Sequence, residues 1–364
     1  MRICKICKKE KLISENLGIC IECIRENPKE AINFSKQIHK KIRENFNLPS
    51  FTPKSEKGIE CNICNNKCVI DIGQKGYCGL RENINGILKS KTSTDYGVFD
   101  FYYDPIPTNC CAEWFCGAEK DGKGKYNLAV FFYGCSFNCL FCQNYSHKFI
   151  EKGKIFKTHQ IINYANRQEV YCICFFGGSP EPQLPFVIKF SEGILIKKKI
   201  RICFEWNGCG NENLVRKIGE IALKSKGIIK FDLKAFDENL NIVLTGVSNK
   251  KTLENFKLIA QEFLKKADYP LLTATTLLVP GYIDQIEVEK IAKFISSLSP
   301  EIPYSLLIFH PEFYMNDLPI TPSKTVFKCY ETAKKYLKNV NIGNFHLLKW
   351  ETSHWFIKKC GIIF

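Results

Sequence analysis

Three cysteines in one short stretch carry the strongest chemical signal in this chain. The run Gly134-Cys-Ser-Phe-Asn-Cys-Leu-Phe-Cys-Gln-Asn144 places Cys135, Cys139 and Cys142 at spacings of four and three. Such a loop delivers three thiolates to one face of an iron–sulfur cluster. A [4Fe–4S] cluster ordinarily takes four protein thiolates, so three leave one iron open to a small-molecule ligand. A three-cysteine zinc site is the plainer alternative for the same spacing.

The chain holds 20 cysteines in 364 residues, and clustered cysteines read first as metal ligands. Cys4-x2-Cys7-x12-Cys20-x2-Cys23 has the knuckle spacing of a zinc ribbon or rubredoxin-like iron site, and the spacing does not separate zinc from iron. Cys61-x2-Cys64-x3-Cys68-x9-Cys78 is a second set, and Cys110, Cys111 and Cys116 a third. Either, or a mixture, supplies the ligands of a further single-metal site. Cys172, Cys174, Cys203, Cys209, Cys329 and Cys360 read as small buried hydrophobes.

The elements that must position these groups change character along the chain. Cysteine pairs, glycines and one helical stretch, Pro28–Phe46, fill the first hundred residues. Thereafter short β-branched or aromatic runs alternate with segments of helical period. Leu128–Tyr133, Tyr171–Phe176, Ile200–Glu205, Ile228–Leu233, Leu271–Val279 and Ser305–Phe309 read as strands, each followed by a helix. Six βα units imply an α/β fold, a partial (β/α)6 barrel with a parallel sheet. The division expected is 1–57 (four-cysteine knuckle and helix), 58–125 (cysteine-rich metal-binding segment), 126–320 (barrel) and 321–364 (C-terminal extension). Polar and glycine-rich residues follow every strand, so one site at the C-terminal rim gathers residues from every unit.

The Cys-x3-Cys-x2-Cys loop after the first barrel strand resembles that of the radical S-adenosylmethionine (SAM) superfamily. The resemblance continues residue by residue. Phe141 matches the aromatic that packs on the SAM adenine. Gly177-Gly178-Ser179 resembles the glycine motif that meets the SAM amino group. Glu205 and Asn207 match the third-strand segment at the ribose and carboxylate. Asp232 and Lys234 resemble the fourth-strand motif of enzymes related to pyruvate formate-lyase activases; a structural ion pair is the alternative. Tyr126, opening the first strand, is a further candidate: on reaching the rim, its oxygen would occupy the open iron in the absence of SAM. The resemblance implies a reduced cluster that gives one electron to SAM, releasing methionine and a hydrogen-abstracting 5′-deoxyadenosyl radical.

Other segments narrow the resemblance. Asp104-Pro-Ile-Pro-Thr-Asn-Cys-Cys111, Ile302-Pro-Tyr-Ser-Leu-Leu307 and Asn344-Phe-His-Leu-Leu348 are similar to the methanogenesis-marker branch of archaeal radical SAM methyltransferases. That branch implies cobalamin and C-methylation of an arginine in the alpha subunit of methyl-coenzyme M reductase, with ferredoxin or flavodoxin as reductant. The sequence lacks Asp-x-His-x-x-Gly, the usual histidine donor to cobalt, so cobalamin would sit between the barrel mouth and the extension, covered by Phe345, Trp350, Trp355 and Phe356 or left without such a cover if those aromatics simply pack. A glycyl-radical activase and an RNA-modifying enzyme are the alternatives, and a non-catalytic iron–sulfur protein the reading from another class.

Formal net charge is +15, with the lysines scattered. That reads as a solvated basic exterior suited to an acidic protein partner, with a nucleic-acid surface as the alternative. No stretch approaches 18 uninterrupted apolar residues, and the N-terminus lacks the apolar core of a signal peptide, so a cytoplasmic protein with no membrane contact is expected.

Overall fold

A computed structural model of the chain describes residues 1–108 and 110–348. Its centre is a nine-stranded sheet. The strands are β1 (Tyr96–Pro105), β2 (Tyr126–Phe132), β3 (Ile155–Lys157), β4 (Val170–Gly177), β5 (Arg201–Trp206), β6 (Ile229–Asp232), β7 (Leu272–Leu278), β8 (Tyr304–Ile308) and β9 (Val340–Gly343). Their order is β9-β8-β7-β6-β5-β4-β2-β1-β3. β2 and β4 through β9 are parallel, while β1 lies antiparallel on β2 and β3 on β1. The two ends of the sheet do not pair, so the barrel is open.

The parallel strands are covered outside by α3 (Thr158–Ala165), α4 (Leu184–Lys197), α5 (Glu212–Ser225), α7 (Lys250–Phe263), α8 (Gln285–Leu298) and α9 (Ser323–Lys334). Strand alternation sends Ile173 and Phe175 of β4 outward into this helical layer, where both are fully buried. Burying each such side chain contributes about 1.5–3 kcal/mol. The helices start where their caps dictate: Asn211 and Asp284 accept from the amides of Asn213 and Glu287.

The sheet exceeds the six expected strands at both ends. β1 lies inside the segment 58–125, and β9 inside 321–364. β1 escapes a periodicity reading because its partner is non-local: Pro105 faces Tyr126 and Phe99 faces Phe132 across a 20-residue connection.

The N-terminal knuckle packs into the same core. Leu17, Ile19 and Ile24 are fully buried in one cluster with the barrel helices. The helices α1 (Ile21–Glu26) and α2 (Pro28–Glu44) lean on α6 (Glu238–Thr245). Arg25 clamps both oxygens of Asp284, at 2.9 and 3.0 Å, and reaches Glu287 at 3.3 Å. Glu287 is fully buried and also accepts the amides of Phe236 and Asp237, so the knuckle, α6 and α8 converge on one satisfied carboxylate. Among the described residues no helix is long and apolar enough to cross a membrane.

Candidate active site

β2 ends at Phe132 and the chain turns at Gly134, in the left-handed region at φ +82°, into the loop of Cys135, Cys139 and Cys142. The last turn of α6 holds this loop. Asn138 N donates to Thr245 O at 2.8 Å, and Leu140 N to Leu244 O at 2.9 Å. Asn138 is fastened from its side chain as well: its amide meets His39 Nδ1 at 2.9 Å and its carbonyl oxygen accepts from Lys148 Nζ at 2.7 Å. His39 Nε2 lies 3.0 Å from Val243 O and must carry the proton there, leaving Nδ1 to accept. Burial pushes His39 down to about 4, so the neutral ring persists.

The sulfurs are set for ligation. Cys135 Sγ accepts from Phe137 N at 3.3 Å and from Asn207 Nδ2 at 3.6 Å. Burial pushes all three thiols up, Cys139 to about 12, against the pull of Lys148 and, for Cys139 and Cys142, of Lys234. A bound metal centre is what holds such thiols as thiolates.

The ends of β4, β5 and β6 complete a pocket of about 900 Å³. It is lined by Cys135, Cys139, Cys142, Phe141, Gly177, Gly178, Ser179, Glu205, Asn207, Asp232 and Lys234, so these sequence-derived candidates meet at one place. Gly178 is required by packing: a Cβ there would stand 2.3 Å from Gly134 O. Asn207 is the knot of the site. Its Nδ2 reaches Ser136 Oγ at 3.0 Å and Ser179 Oγ at 3.1 Å, and its carbonyl accepts from Thr252 Oγ1 at 2.7 Å. Lys234 Nζ donates to Asp232 Oδ2 at 2.7 Å, and Asp232 Oδ1 accepts from Thr275 Oγ1 at 2.5 Å. The ion-pair alternative for these two is thus formed, inside the pocket. Glu205 pairs with Lys230.

Tyr126 is the exception. It opens β2 at the end opposite the cysteine loop, with its amide on Glu169 O and its ring 6.1 Å from Tyr103. Seven strand residues at about 3.3 Å each separate it from the rim, so it does not reach the open iron. The sequence reading missed His147, Trp206 and Lys148. His147 and Trp206 line the pocket, and His147 Nδ1 is buried without a hydrogen-bond partner, whereas the Trp206 ring packs against Phe204 and Phe231. An orphaned polar atom beside Gly178 fits a polar ligand such as SAM. Only the proximity of His147 and Lys148 to the cysteine loop could have signalled them.

The other cysteine groups differ. Cys4, Cys7, Cys20 and Cys23 have sulfurs all within 4.8 Å, with Cys4–Cys23 and Cys7–Cys20 at 3.8 Å. A tetrahedron with metal–sulfur bonds of about 2.3 Å has edges of about 3.8 Å, so the four residues fit a single zinc or iron. Cys61 and Cys68 face each other in a hairpin, and Cys64 bridges to Gly210. Among the described residues the Cys61, Cys64, Cys68 and Cys78 sulfurs do not gather within single-ion range, because the hairpin sets their spacing, nor do those of Cys110, Cys111 and Cys116. Of the expected corrin cover, Phe345 is buried in the main core, and Trp350, Trp355 and Phe356 lie outside the described residues.

Residues 129–295 match the profile of the radical SAM superfamily. An uncharacterised protein of Methanocaldococcus jannaschii is 28% identical over 301 residues, covering 79% of this chain and 81% of that protein. A protein of the same archaeon, provisionally named a glycyl-radical enzyme activating enzyme, is 29% identical over 59% of this chain and 79% of its own length. The pyruvate formate-lyase 1-activating enzyme of Escherichia coli is 25% identical over 205 residues, covering 54% of this chain and 78% of that enzyme.

Proposed function

We propose that this chain, whose residues 129–295 match the radical SAM profile, is a radical SAM enzyme that removes a hydrogen atom from a polypeptide partner. The observation that carries this reading is the convergence of three cysteines, two glycines and four strand ends on one pocket, beside the unpartnered His147 Nδ1. Cys135, Cys139 and Cys142 would hold a [4Fe–4S] cluster; Phe141, Gly178, Ser179, Asn207 and the Asp232–Lys234 pair would hold SAM. When bound, these groups supply one-electron cleavage of the SAM sulfonium and, with it, hydrogen-atom abstraction. The chain's residues do the positioning. Asn207 ties three loops together, the glycines bring β4 flush against the cysteine loop, and Phe176, Leu277 and Leu307 give the pocket an apolar wall.

A protein substrate is supported by the basic exterior and by the named activating-enzyme relatives. Hydrogen abstraction alone, as an activase performs it, is the reading favoured. Cobalamin-dependent methylation of an arginine in methyl-coenzyme M reductase is the finer alternative, and its support is the segment Asp104–Cys111 together with Ile302–Leu307 and Asn344–Leu348. Ferredoxin or flavodoxin suits either as electron donor.

The test is anaerobic incubation with SAM and reductant. We expect 5′-deoxyadenosine from the native protein and none from the Cys135→Ala/Cys139→Ala/Cys142→Ala variant; undiminished cleavage by the variant overturns the assignment. With cobalamin and an arginine-containing peptide of the reductase added, a mass gain of about 14 units together with S-adenosylhomocysteine would favour methylation. Deoxyadenosine alone favours the activase-like reading.

A further inference from the structure

Below the radical pocket lies a second, smaller pocket, and Glu205 lines both. Its floor is the connection between β1 and β2. This segment crosses the barrel from beneath: Trp114 Nε1 donates to Ser305 Oγ on β8 at 3.0 Å, and Arg201 Nη1 of β5 donates to Cys116 O at 3.1 Å.

The cavity is lined with thiols from three separate segments. Cys174 of β4 and Cys203 of β5 are partners in the parallel ladder, so their backbones lie about 4.8 Å apart and both side chains point inward. Cys110 and Cys116 rise from the floor into the same space. Small buried hydrophobes would account for cysteines on the strands taken singly. They do not account for the convergence, nor for what surrounds it. Cys110 Sγ accepts from Ala112 N at 3.5 Å and Cys116 Sγ from Ala118 N at 3.4 Å. Each is the bond from two residues onward that Cys135 receives from Phe137 in the radical loop. Such amides stabilise sulfur that carries negative charge. The Lys230 ammonium also lines the cavity; it is 3% exposed and its Nζ has no hydrogen-bond partner, only its ion pair with Glu205. Arg201 adds a second cation. A cage of thiols with amide donors, a buried ammonium and a half-buried guanidinium suits an anionic, thiolate-bound centre.

We infer that Cys110, Cys116, Cys174 and Cys203 hold a second iron–sulfur cluster on the barrel floor. A cluster fits better than one ion. Among the described residues these sulfurs do not lie within single-ion range, and neither do those of Cys135, Cys139 and Cys142, whose ligands go to separate irons. The inference does not depend on the chemistry proposed for the radical pocket.

The experiment uses the full chain, reconstituted anaerobically with iron and sulfide, in the Cys135→Ala/Cys139→Ala/Cys142→Ala background. Iron and acid-labile sulfide are counted and the reduced protein is examined by electron paramagnetic resonance. We expect a sulfide-containing centre to persist, and to be lost when Cys174→Ala/Cys203→Ala is added. Cys110→Ser, on the floor and outside the strands, should alter its spectrum; retention of metal by the Cys4 knuckle certifies folding of each variant. A background variant without labile sulfide overturns the inference. So does sulfide that survives the Cys174/Cys203 change and is removed instead by Cys61→Ala/Cys64→Ala.

Discussion

Lys148 Nζ donates to Asn138 Oδ1 across 2.7 Å, from the helical turn after the cysteine loop back to the middle of that loop. The ammonium is 1% exposed. Burial pulls its pKa down, while Cys142, Cys135 and Cys139 pull it up. A cation kept dry behind three ligand sulfurs stabilises whatever negative charge they carry. Lys148→Met should therefore lower the midpoint potential of the labile cluster and slow SAM cleavage roughly tenfold, about 1.4 kcal/mol. A redox titration followed by paramagnetic resonance checks this; an unchanged potential would remove Lys148 from the cluster's electrostatics.

Gly178→Ala tests the packing of β4 on the cysteine loop. The added methyl would meet the Gly134 carbonyl oxygen at 2.3 Å, and backbone yields less readily than a side chain. Overpacking of this kind costs about 1–3 kcal/mol. The variant should melt earlier and bind SAM more weakly, as read by calorimetry and equilibrium binding. Native behaviour in both would show that the loops part without cost.

The knuckle should behave as a separate metal centre. Cys4→Ser/Cys23→Ser should lose one zinc or iron per chain with no change in acid-labile sulfide, measured by elemental analysis. Because Arg25 joins this module to Asp284 and Glu287, the thermal midpoint should fall too. Loss of sulfide along with the metal would contradict a single-ion site.

Glu181 gives a pH signature. It is fully buried, and burial pushes its carboxyl up to about 7 from 4.5, against donors from Ser179 and the Gly208 amide. The folded state thus binds this proton more tightly than the unfolded one. The stabilising contribution is complete below pH 4.5 and is lost as pH rises through about 7. The difference is on the order of 3 kcal/mol. Glu181→Gln should flatten stability across that window. Denaturation of the native and Glu181→Gln proteins, both stripped of metal and sulfide beforehand, at several pH values measures it without acid loss of a cluster intervening.

The radical site was legible because its signals are local. Cys135, Cys139 and Cys142 share one loop, and Gly177, Asn207 and Asp232 each close a strand whose period is readable on its own. What failed were inferences across distance or direction. Tyr126 is near Cys135 in number, yet an extended strand carries it to the far end. β1 needed a partner that periodicity does not name. Cys174 and Cys203 look like ordinary strand interior until the register sets them side by side. Lys148 and His147 gave no pattern at all, since their roles come from burial.

Among the described residues, the β1–β2 connection screens the barrel from beneath through its bonds to Ser305 and Arg201. The upper mouth is then the direct approach to the cysteine loop. A small molecule seated against Gly178 and Asn207 lies deeper than any polypeptide laid over that mouth. Loading is then first in, last out: the polypeptide bars the exit of what sits below it. Steady-state kinetics should show compulsory order, with the polypeptide adding second and departing first.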